Sequence, residues 1–75
     1  MPRLTCTFAE VIAILEANGF ILTRHDGTSH RQYRAVIGGK VHLVTIAGKP
    51  SDDVAIGTLQ SIIRQSGLSK MLFRK

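Results

Sequence analysis

The sequence has 75 residues, which is enough for one small domain with a single two-layer core and excludes a second domain. With 44% hydrophobic and 20% charged residues, the composition excludes an intrinsically disordered chain. Ten Lys and Arg against five Asp and Glu give a net charge of +5, which favours a polyanionic partner: nucleic acid, an acidic protein or an anionic membrane surface.

Cysteine usage and hydropathy indicate where the protein works. Cys6 is the only cysteine, so an intramolecular disulfide is impossible, and the first residues do not resemble a secretory signal. The longest strictly apolar run, residues 11–15, is far shorter than the ~20 residues that a membrane span needs. We therefore expect residues 1–75 to form a single domain in the cytoplasm, with no membrane partner.

Residues 7–20 predict an amphipathic helix. Thr7 and Glu10 have the spacing of a capping box, and Gly19 stands where a helix ends in a left-handed residue. Phe20 can then fold back onto the end of the helix. The apolar residues recur at the helical spacing i, i+3, i+4 and i+7, at Phe8, Val11, Ile12 and Leu15.

Three β-prone runs follow, at residues 20–24, 30–37 and 40–47. Asp26 and Gly27 have turn chemistry between the first two runs. Gly38 and Gly39 have the spacing of a two-residue hairpin loop between the last two. This loop predicts four cross-strand pairs: His30 with Ala47, Arg31 with Ile46, Tyr33 with Val44, and Ile37 with Lys40.

The predicted register divides the sheet into two faces, because successive side chains of a strand point to opposite sides. His30, Gln32 and Arg34 share one face, which we expect to be open. Val41 and Leu43 fall on the same face, so either the register slips or a partner covers them. The other face has the composition of a core face: Arg31, Tyr33, Ala35, Ile37, Val44 and Ile46.

Residues 56–68 predict a second helix, with apolar side chains on one face at Leu59, Ile62 and Ile63. Gly67 is its expected stop. Asp52 and Asp53, just ahead of it, predict an N-cap and a favourable interaction with the helix dipole rather than a cation site. Residues 69–75 are basic and show no clear pattern.

The element order α-β-β-β-α predicts an α+β fold in which both helices cover one face of a three-stranded antiparallel sheet. This arrangement is that of double-stranded-RNA-binding domains, although other small folds share it. A fold alone does not identify a function, so function has to be argued from the side chains.

His30 is the residue that we expect to be catalytic if the protein is an enzyme. An imidazole titrates near neutral pH, so it can take the proton of a ribose 2′-hydroxyl or return one to a leaving oxygen. A histidine on a solvated strand is the commoner case, and composition and spacing leave both alternatives open. His25 and His42 have no polar cluster beside them, which favours structural or incidental roles.

Five cations are plausible phosphate contacts, at Arg24, Arg31, Arg34, Lys40 and Lys49, although a solvated strand edge explains many of them equally well. Lys49 lies two residues beyond Ala47, so its ammonium can come near His30. The three histidines and Cys6 lack the spacing of metal ligands, so we predict no metal site. We interpret Cys6 as a small buried apolar residue.

Three stretches form a specific pattern when their spacing is considered together: LEANGF at residues 15–20, SHRQYR at residues 29–34, and TIAGKPSDDVAIGTLQSIIRQSGL at residues 45–68. In this combination they resemble the HicA toxins, small bacterial and archaeal mRNA interferases that HicB antitoxins hold inactive. The resemblance covers roughly residues 7–68. The histidine motif alone is a weak signal, and its distance from the AGKPSDD and GTLQSI segments makes it specific.

The resemblance implies a double-stranded-RNA-binding-domain-like fold and a metal-independent endoribonuclease without cofactors. It further implies the toxin of a type II toxin–antitoxin system, which cleaves mRNA and is neutralised by a HicB-type antitoxin. The family's single catalytic histidine falls on His30, and we expect Arg31, Arg34 and Lys49 to contact the RNA backbone. This sequence has Thr28 where the family usually has glycine before Ser-His.

Two alternatives stay open at this point. The first is a non-catalytic RNA-binding module of the same fold, for which positive charge and an open sheet suffice. The second is a degenerate toxin that binds its antitoxin but no longer cuts RNA because of Thr28. For an active enzyme, Tyr33 or a water molecule is the candidate second proton donor. We expect the antitoxin to cover His30 together with Val41 and Leu43.

Overall fold

The computed structural model describes residues 6–25 and 30–73. It contains helix α1 (Phe8–Ala17), strands β1 (Ile21–His25), β2 (His30–Ile37) and β3 (Lys40–Ala47), helix α2 (Ile56–Ser66) and a C-terminal 3₁₀ helix (Lys70–Phe73). The predicted α-β-β-β-α order and the α+β class are confirmed. The 3₁₀ helix lies in the tail that showed no pattern in the sequence, and the predicted turn at Asp26 and Gly27 lies outside the described residues.

Helix α1 begins and ends with the predicted motifs. The Thr7 hydroxyl accepts a hydrogen bond from the Glu10 backbone N–H at 3.2 Å, and the Glu10 carboxylate accepts one from the Thr7 N–H at 2.9 Å, which is a complete capping box. At the other end Gly19 has a φ of +90°, and the Phe20 N–H donates to the Leu15 carbonyl at 3.0 Å. This bond turns Phe20 back into the core.

Strands β2 and β3 form a hairpin in the predicted register. Gly38 and Gly39 have φ values of +58° and +80°, the left-handed pair that a tight two-residue hairpin loop requires. The register follows without interruption from Ile37 opposite Lys40 to His30 opposite Ala47, so all four predicted pairs are confirmed. β2 is the central strand of the sheet, and β1 pairs antiparallel with its other edge.

Strand β1 contains an irregularity that the sequence did not predict. The register shifts between Leu22 and Arg24, so that Thr23 is an extra residue opposite β2. The pairs on either side of this bulge are Ile21 with Arg34, Leu22 with Tyr33, Arg24 with Gln32, and His25 with Arg31.

One apolar cluster between the sheet and the helices forms the core. The helix-facing side of the sheet contributes Tyr33, Ala35, Val44 and Ile46, and both helices pack their apolar stripes against these residues. Both helices therefore cover the same face, as predicted. The opposite side, which we call the open face, includes Ile21, Arg24, His30, Gln32, Arg34, Val36, Val41, Leu43 and Thr45.

The C-terminal 3₁₀ helix completes this core and contacts the first described residue of the chain. Phe73 is fully buried, and its carbonyl accepts a hydrogen bond from the Cys6 thiol at 3.1 Å. The expected burial of Cys6 is confirmed.

The loop between β3 and α2 caps α1 rather than α2. The Phe8 N–H donates to the Asp52 carbonyl at 3.0 Å, and the Ala9 N–H donates to the Pro50 carbonyl at 2.9 Å, which satisfies donors of the first turn of α1. The prediction that Asp52 and Asp53 cap α2 is wrong: its N-cap is Ala55, which makes no side-chain capping bond. The loop caps α1 with backbone carbonyls, and the acidic side chains in the loop do not predict this role.

Gly48 begins this loop directly against the ring of Phe8. Its φ is +150°, and a Cβ built on it would lie 2.7 Å from Phe8 Cζ. The loop can pack on the start of α1 only because position 48 has no side chain.

We expect Gly48→Ala to lower the free energy of unfolding by about 2–4 kcal/mol, since it adds both overpacking and backbone strain. Gly57→Ala is the matched control, because Gly57 lies in the first turn of α2 with no atom within 4 Å of an added Cβ. There the change should raise the free energy of unfolding by about 0.5–1 kcal/mol. Urea denaturation of the two variants measures both values, and equal stability of Gly48→Ala and wild type would contradict the prediction.

Candidate active site

A shallow depression of about 280 Å³ lies at the end of the sheet where β2 begins. It is lined by residues of all three strands: Arg24, His30, Arg31, Gln32 and Thr45. Arg24 and Thr45 oppose Gln32 from the two neighbouring strands, so these three form one row across the open face. His30, the first residue of β2, shares that face two positions before Gln32. An imidazole thus stands beside a guanidinium, an amide and a hydroxyl.

One of the three predicted RNA contacts lines this depression. Arg31 borders it, whereas Lys49 lies in the loop after β3 and does not. Arg34 is on the open face opposite Leu43, but it lies four positions from His30, about 13 Å along the strand. RNA contacts by Arg34 and Lys49 stay predictions.

Three residues of the depression were missed or underrated in the sequence. From the sequence, Gln32 falls on the open face without an assigned role, and Thr45 carries no functional prediction. The hairpin register contains the signal for Thr45, because it sets this residue opposite Gln32. Arg24 was only one of several plausible cations, and its place beside Gln32 depends on the bulge at Thr23.

Arg31 differs from the other residues of the depression because strand alternation starts its side chain on the helix-facing side. Its Nη1 atom is buried and has no hydrogen-bond partner among the residues that the structure describes. A buried donor without an acceptor is costly, and a phosphate oxygen is the acceptor that a guanidinium matches best. Arg31 therefore fits an anionic ligand at this end of the sheet.

Tyr33 lies on the helix-facing side with only 3% of its surface exposed. Burial raises the pKa of its hydroxyl above the usual value of 10.0, the charge of Glu16 raises this pKa further, and the charge of Arg31 opposes the shift. Tyr33 therefore belongs to the helix-facing side, whereas His30 belongs to the open face. This placement does not support Tyr33 as the second proton donor, and the water molecule stays a prediction.

The other two histidines lie on the side away from the open face. The ring of His42 packs against Gly67 at the end of α2, and its Nδ1 lies 3.3 Å from the Gln65 carbonyl oxygen. This contact ties β3 to α2, in agreement with a structural role. His25 is exposed at the end of β1, opposite Arg31.

Within residues 6–25 and 30–73, no group of three or more His, Cys, Asp and Glu side chains could hold a metal ion. Gly27, Thr28 and Ser29, which precede His30, lie outside the described residues. The effect of Thr28 in place of the family glycine is therefore still a prediction.

The half of the open face nearer the Gly38–Gly39 loop is apolar. Ile21, Val36, Val41 and Leu43 each expose about half or more of their surface there. The predicted register did not slip, so the exposure of Val41 and Leu43 is a property of the surface. A patch of this kind on a small domain is typical of a protein–protein contact.

A comparison with protein-family models matches residues 8–68 to the family described as the HicA toxin of bacterial toxin–antitoxin systems. The chain belongs to the HicA toxin family. The match extends from the start of α1 past the end of α2, so it includes every strand that lines the depression. Membership in the HicA toxin family implies an antitoxin partner. No curated protein and no solved structure matches the chain.

The helices among the described residues are too short to cross a membrane.

We predict that Tyr33 titrates above its usual pKa in the folded protein. It is the only tyrosine and the chain has no tryptophan, so phenolate absorbance reports this side chain alone. The folded state holds the Tyr33 proton more tightly than the unfolded state does. Ionisation of Tyr33 should therefore leave the free energy of unfolding unchanged with pH well below pH 10, and should lower it as the pH rises above that value.

The measurement is a spectroscopic pH titration with and without urea, followed by unfolding curves at alkaline pH. Tyr33→Phe is the control, and it should remove this part of the alkaline loss of stability. Identical titration of Tyr33 in native and unfolded protein would contradict the prediction.

Proposed function

We propose that this chain is the toxin of a type II toxin–antitoxin system, an endoribonuclease that cleaves mRNA with His30 and is held inactive by a HicB-type antitoxin. The observation that carries the proposal is the position of His30, which stands in a depression with arginine side chains in a chain of the HicA toxin family. The net charge of +5 supports a polyanionic substrate.

The surroundings of His30 support proton transfer on a phosphodiester. His30 is exposed at the start of β2, where a bulky polymer can reach it. Arg24 and Arg31 border the same depression and supply the charge that a phosphate needs. Gln32 and Thr45 add neutral groups that can hydrogen-bond to a ribose or a base.

The proposed reaction is an intramolecular transesterification. His30 accepts the proton of a ribose 2′-hydroxyl, and the 2′-oxygen attacks the adjacent phosphorus. The bond from phosphorus to the 5′-oxygen of the next nucleotide breaks, and that oxygen takes a proton from a water molecule. The hydroxide that remains takes the proton back from His30, which restores the neutral imidazole. The products are a 2′,3′-cyclic phosphate and a 5′-hydroxyl, so atoms and charge balance without a further reactant. Guanidinium groups at the phosphate stabilise the charge that develops during the attack.

The open face also supports the proposed contact with the antitoxin. The depression and the apolar half lie on the same side of one sheet, with Arg34 and Leu43 paired between them. A HicB-type antitoxin that buries Val41 and Leu43 would extend over His30 and exclude RNA. Apolar centres with polar surroundings are the usual anatomy of such interfaces.

We expect His30→Ala to abolish RNA cleavage, with a loss of about 100-fold or more, because it removes the general base. The measurement uses purified protein in a buffer with EDTA, with products analysed for the 2′,3′-cyclic phosphate. His25→Ala is the control, since it removes an exposed imidazole from the neighbouring strand and should keep activity.

Circular dichroism establishes that the His30→Ala protein is folded. Equal cleavage by wild type and folded His30→Ala would overturn the role of His30. Binding of RNA by both proteins without cleavage by either would favour the RNA-binding module or the degenerate toxin, and Thr28→Gly would then be the next variant.

We expect Leu43→Glu to weaken the complex with a HicB-type antitoxin by roughly tenfold or more, because it puts a charge into the apolar half of the open face. Leu72→Glu is the matched control. Leu72 is 45% exposed and Leu43 48%, but Leu72 lies in the C-terminal 3₁₀ helix, away from the open face. Calorimetric titration of antitoxin into each toxin variant measures the affinities. Unchanged affinity of Leu43→Glu would place the interface elsewhere.

A further inference from the structure

The bulge in β1 changes which face of the sheet Arg24 occupies. Up to Leu22, β1 pairs regularly with β2, and Leu22 stands opposite Tyr33 on the helix-facing side. Continued regular pairing would set Arg24 opposite Arg31 on that same side. The extra residue Thr23 shifts the pairing by one position and sets Arg24 opposite Gln32, on the open face.

The shifted position brings Arg24 to the candidate catalytic group. Arg24 lines the depression together with His30, and Gln32 lies between their strand positions on the same face. Without the bulge, regular pairing would turn Arg24 to the helix-facing side and set His25 opposite His30, so β1 would present an imidazole there in place of the guanidinium. A one-residue irregularity thus determines the charge beside His30.

Thr23, the extra residue of the bulge, also stabilises it. The Thr23 hydroxyl donates a hydrogen bond to the Gln32 backbone carbonyl at 3.1 Å. This bond crosses from β1 to β2 where the regular ladder is interrupted, and its acceptor belongs to the residue opposite Arg24. Bulges are frequent next to active sites because they redirect a side chain, and here the redirected side chain is a guanidinium.

We propose that Arg24 is a catalytic residue that binds the scissile phosphodiester, and that Thr23 is the positioning residue that holds it there through the bulge. This inference rests on the proposed ribonuclease function of His30. The guanidinium donates two parallel hydrogen bonds to phosphate oxygens and stabilises the negative charge that grows on them as the 2′-oxygen attacks. The contact is stronger in the transition state than in the bound substrate, so it acts mainly on kcat.

Arg24 suits this role better than Arg34, the other arginine that the described strands place on the open face. Arg34 stands in a row with Ile21 and Leu43, outside the depression and about 13 Å from His30 along β2. At that distance it can hold the RNA backbone but cannot touch the phosphate at which His30 acts. Arg24 and Arg34 therefore form a matched pair for mutagenesis: their charges are equal, and their distances from His30 differ.

The first experiment compares Arg24→Gln with Arg34→Gln. We expect Arg24→Gln to lower kcat roughly 100-fold, as the loss of a donor to a developing oxyanion does, and Arg34→Gln to raise KM with little change in kcat. Added guanidinium ion should restore part of the activity of Arg24→Ala and none of that of His30→Ala. A kcat of Arg24→Gln within threefold of wild type would overturn the role of Arg24.

The second experiment tests the bulge. Thr23→Val keeps the shape of the side chain and removes the hydroxyl, so we expect kcat to fall several-fold, whereas Thr23→Ser keeps the bond and the activity. If Thr23 acts through Arg24, the double variant Thr23→Val/Arg24→Gln should be no slower than Arg24→Gln alone. Additive losses in the double variant, or a Thr23→Ser protein as slow as Thr23→Val, would overturn the positioning role. Urea unfolding of each variant separates lost stability from lost activity.

A binding measurement separates this inference from the proposed function. A fully 2′-O-methylated RNA oligonucleotide lacks the attacking hydroxyl, and its affinity can be measured across a salt series. Arg24→Gln should weaken its binding and reduce the salt slope by about one phosphate contact. If wild type cuts RNA through His30 but Arg24→Gln matches it in cleavage and binding, only the inference fails. If wild type never cuts and Arg24→Gln still loses binding, the ribonuclease function fails while the phosphate contact of Arg24 stands.

Discussion

The pairing of β2 with β3 is the constraint on which the rest of the structure depends. Gly38 and Gly39 both take left-handed backbone conformations, and the tight loop that results leaves one register for the two strands. A slip of one residue would turn Tyr33 and Ala35 toward solvent and His30 into the core. The division of β2 and β3 into a core face and an open face, with His30 on the open face, therefore depends on two residues without side chains.

Within that register, the open face combines two kinds of surface in a very small area. Polar and cationic groups lie where β2 begins, and aliphatic side chains lie toward the hairpin loop. In the proposed function, RNA needs the first region and the antitoxin needs both. Competition for one sheet face then explains inhibition without any conformational change in the toxin, since the partner occupies the surface that the substrate requires.

The sequence predicted the parts of the fold that local patterns determine. The ends of α1, the hairpin and the separation of His30 from Tyr33 by strand alternation all follow from spacing and turn chemistry. The bulge at Thr23 did not, because threonine is equally at home in a regular strand, and the shift exists only relative to β2. The capping prediction for Asp52 is wrong for a related reason: its backbone carbonyl, and not its carboxylate, binds α1, and every residue has a backbone carbonyl. The position of Arg24 beside His30 could not be predicted either, because it depends on the bulge.

The loop that caps α1 has a consequence for how the chain folds. Isolated helices as short as α1, with its ten residues, are marginal in water, and two first-turn donors of α1 are satisfied by carbonyls more than forty positions later, at Pro50 and Asp52. The first helix along the chain is therefore completed only after β3 and its following loop are in place. Such long-range closure raises the contact order and couples the two ends of the domain into one cooperative transition. A nascent chain that stops before the loop lacks these capping bonds, so α1 becomes stable only late in synthesis.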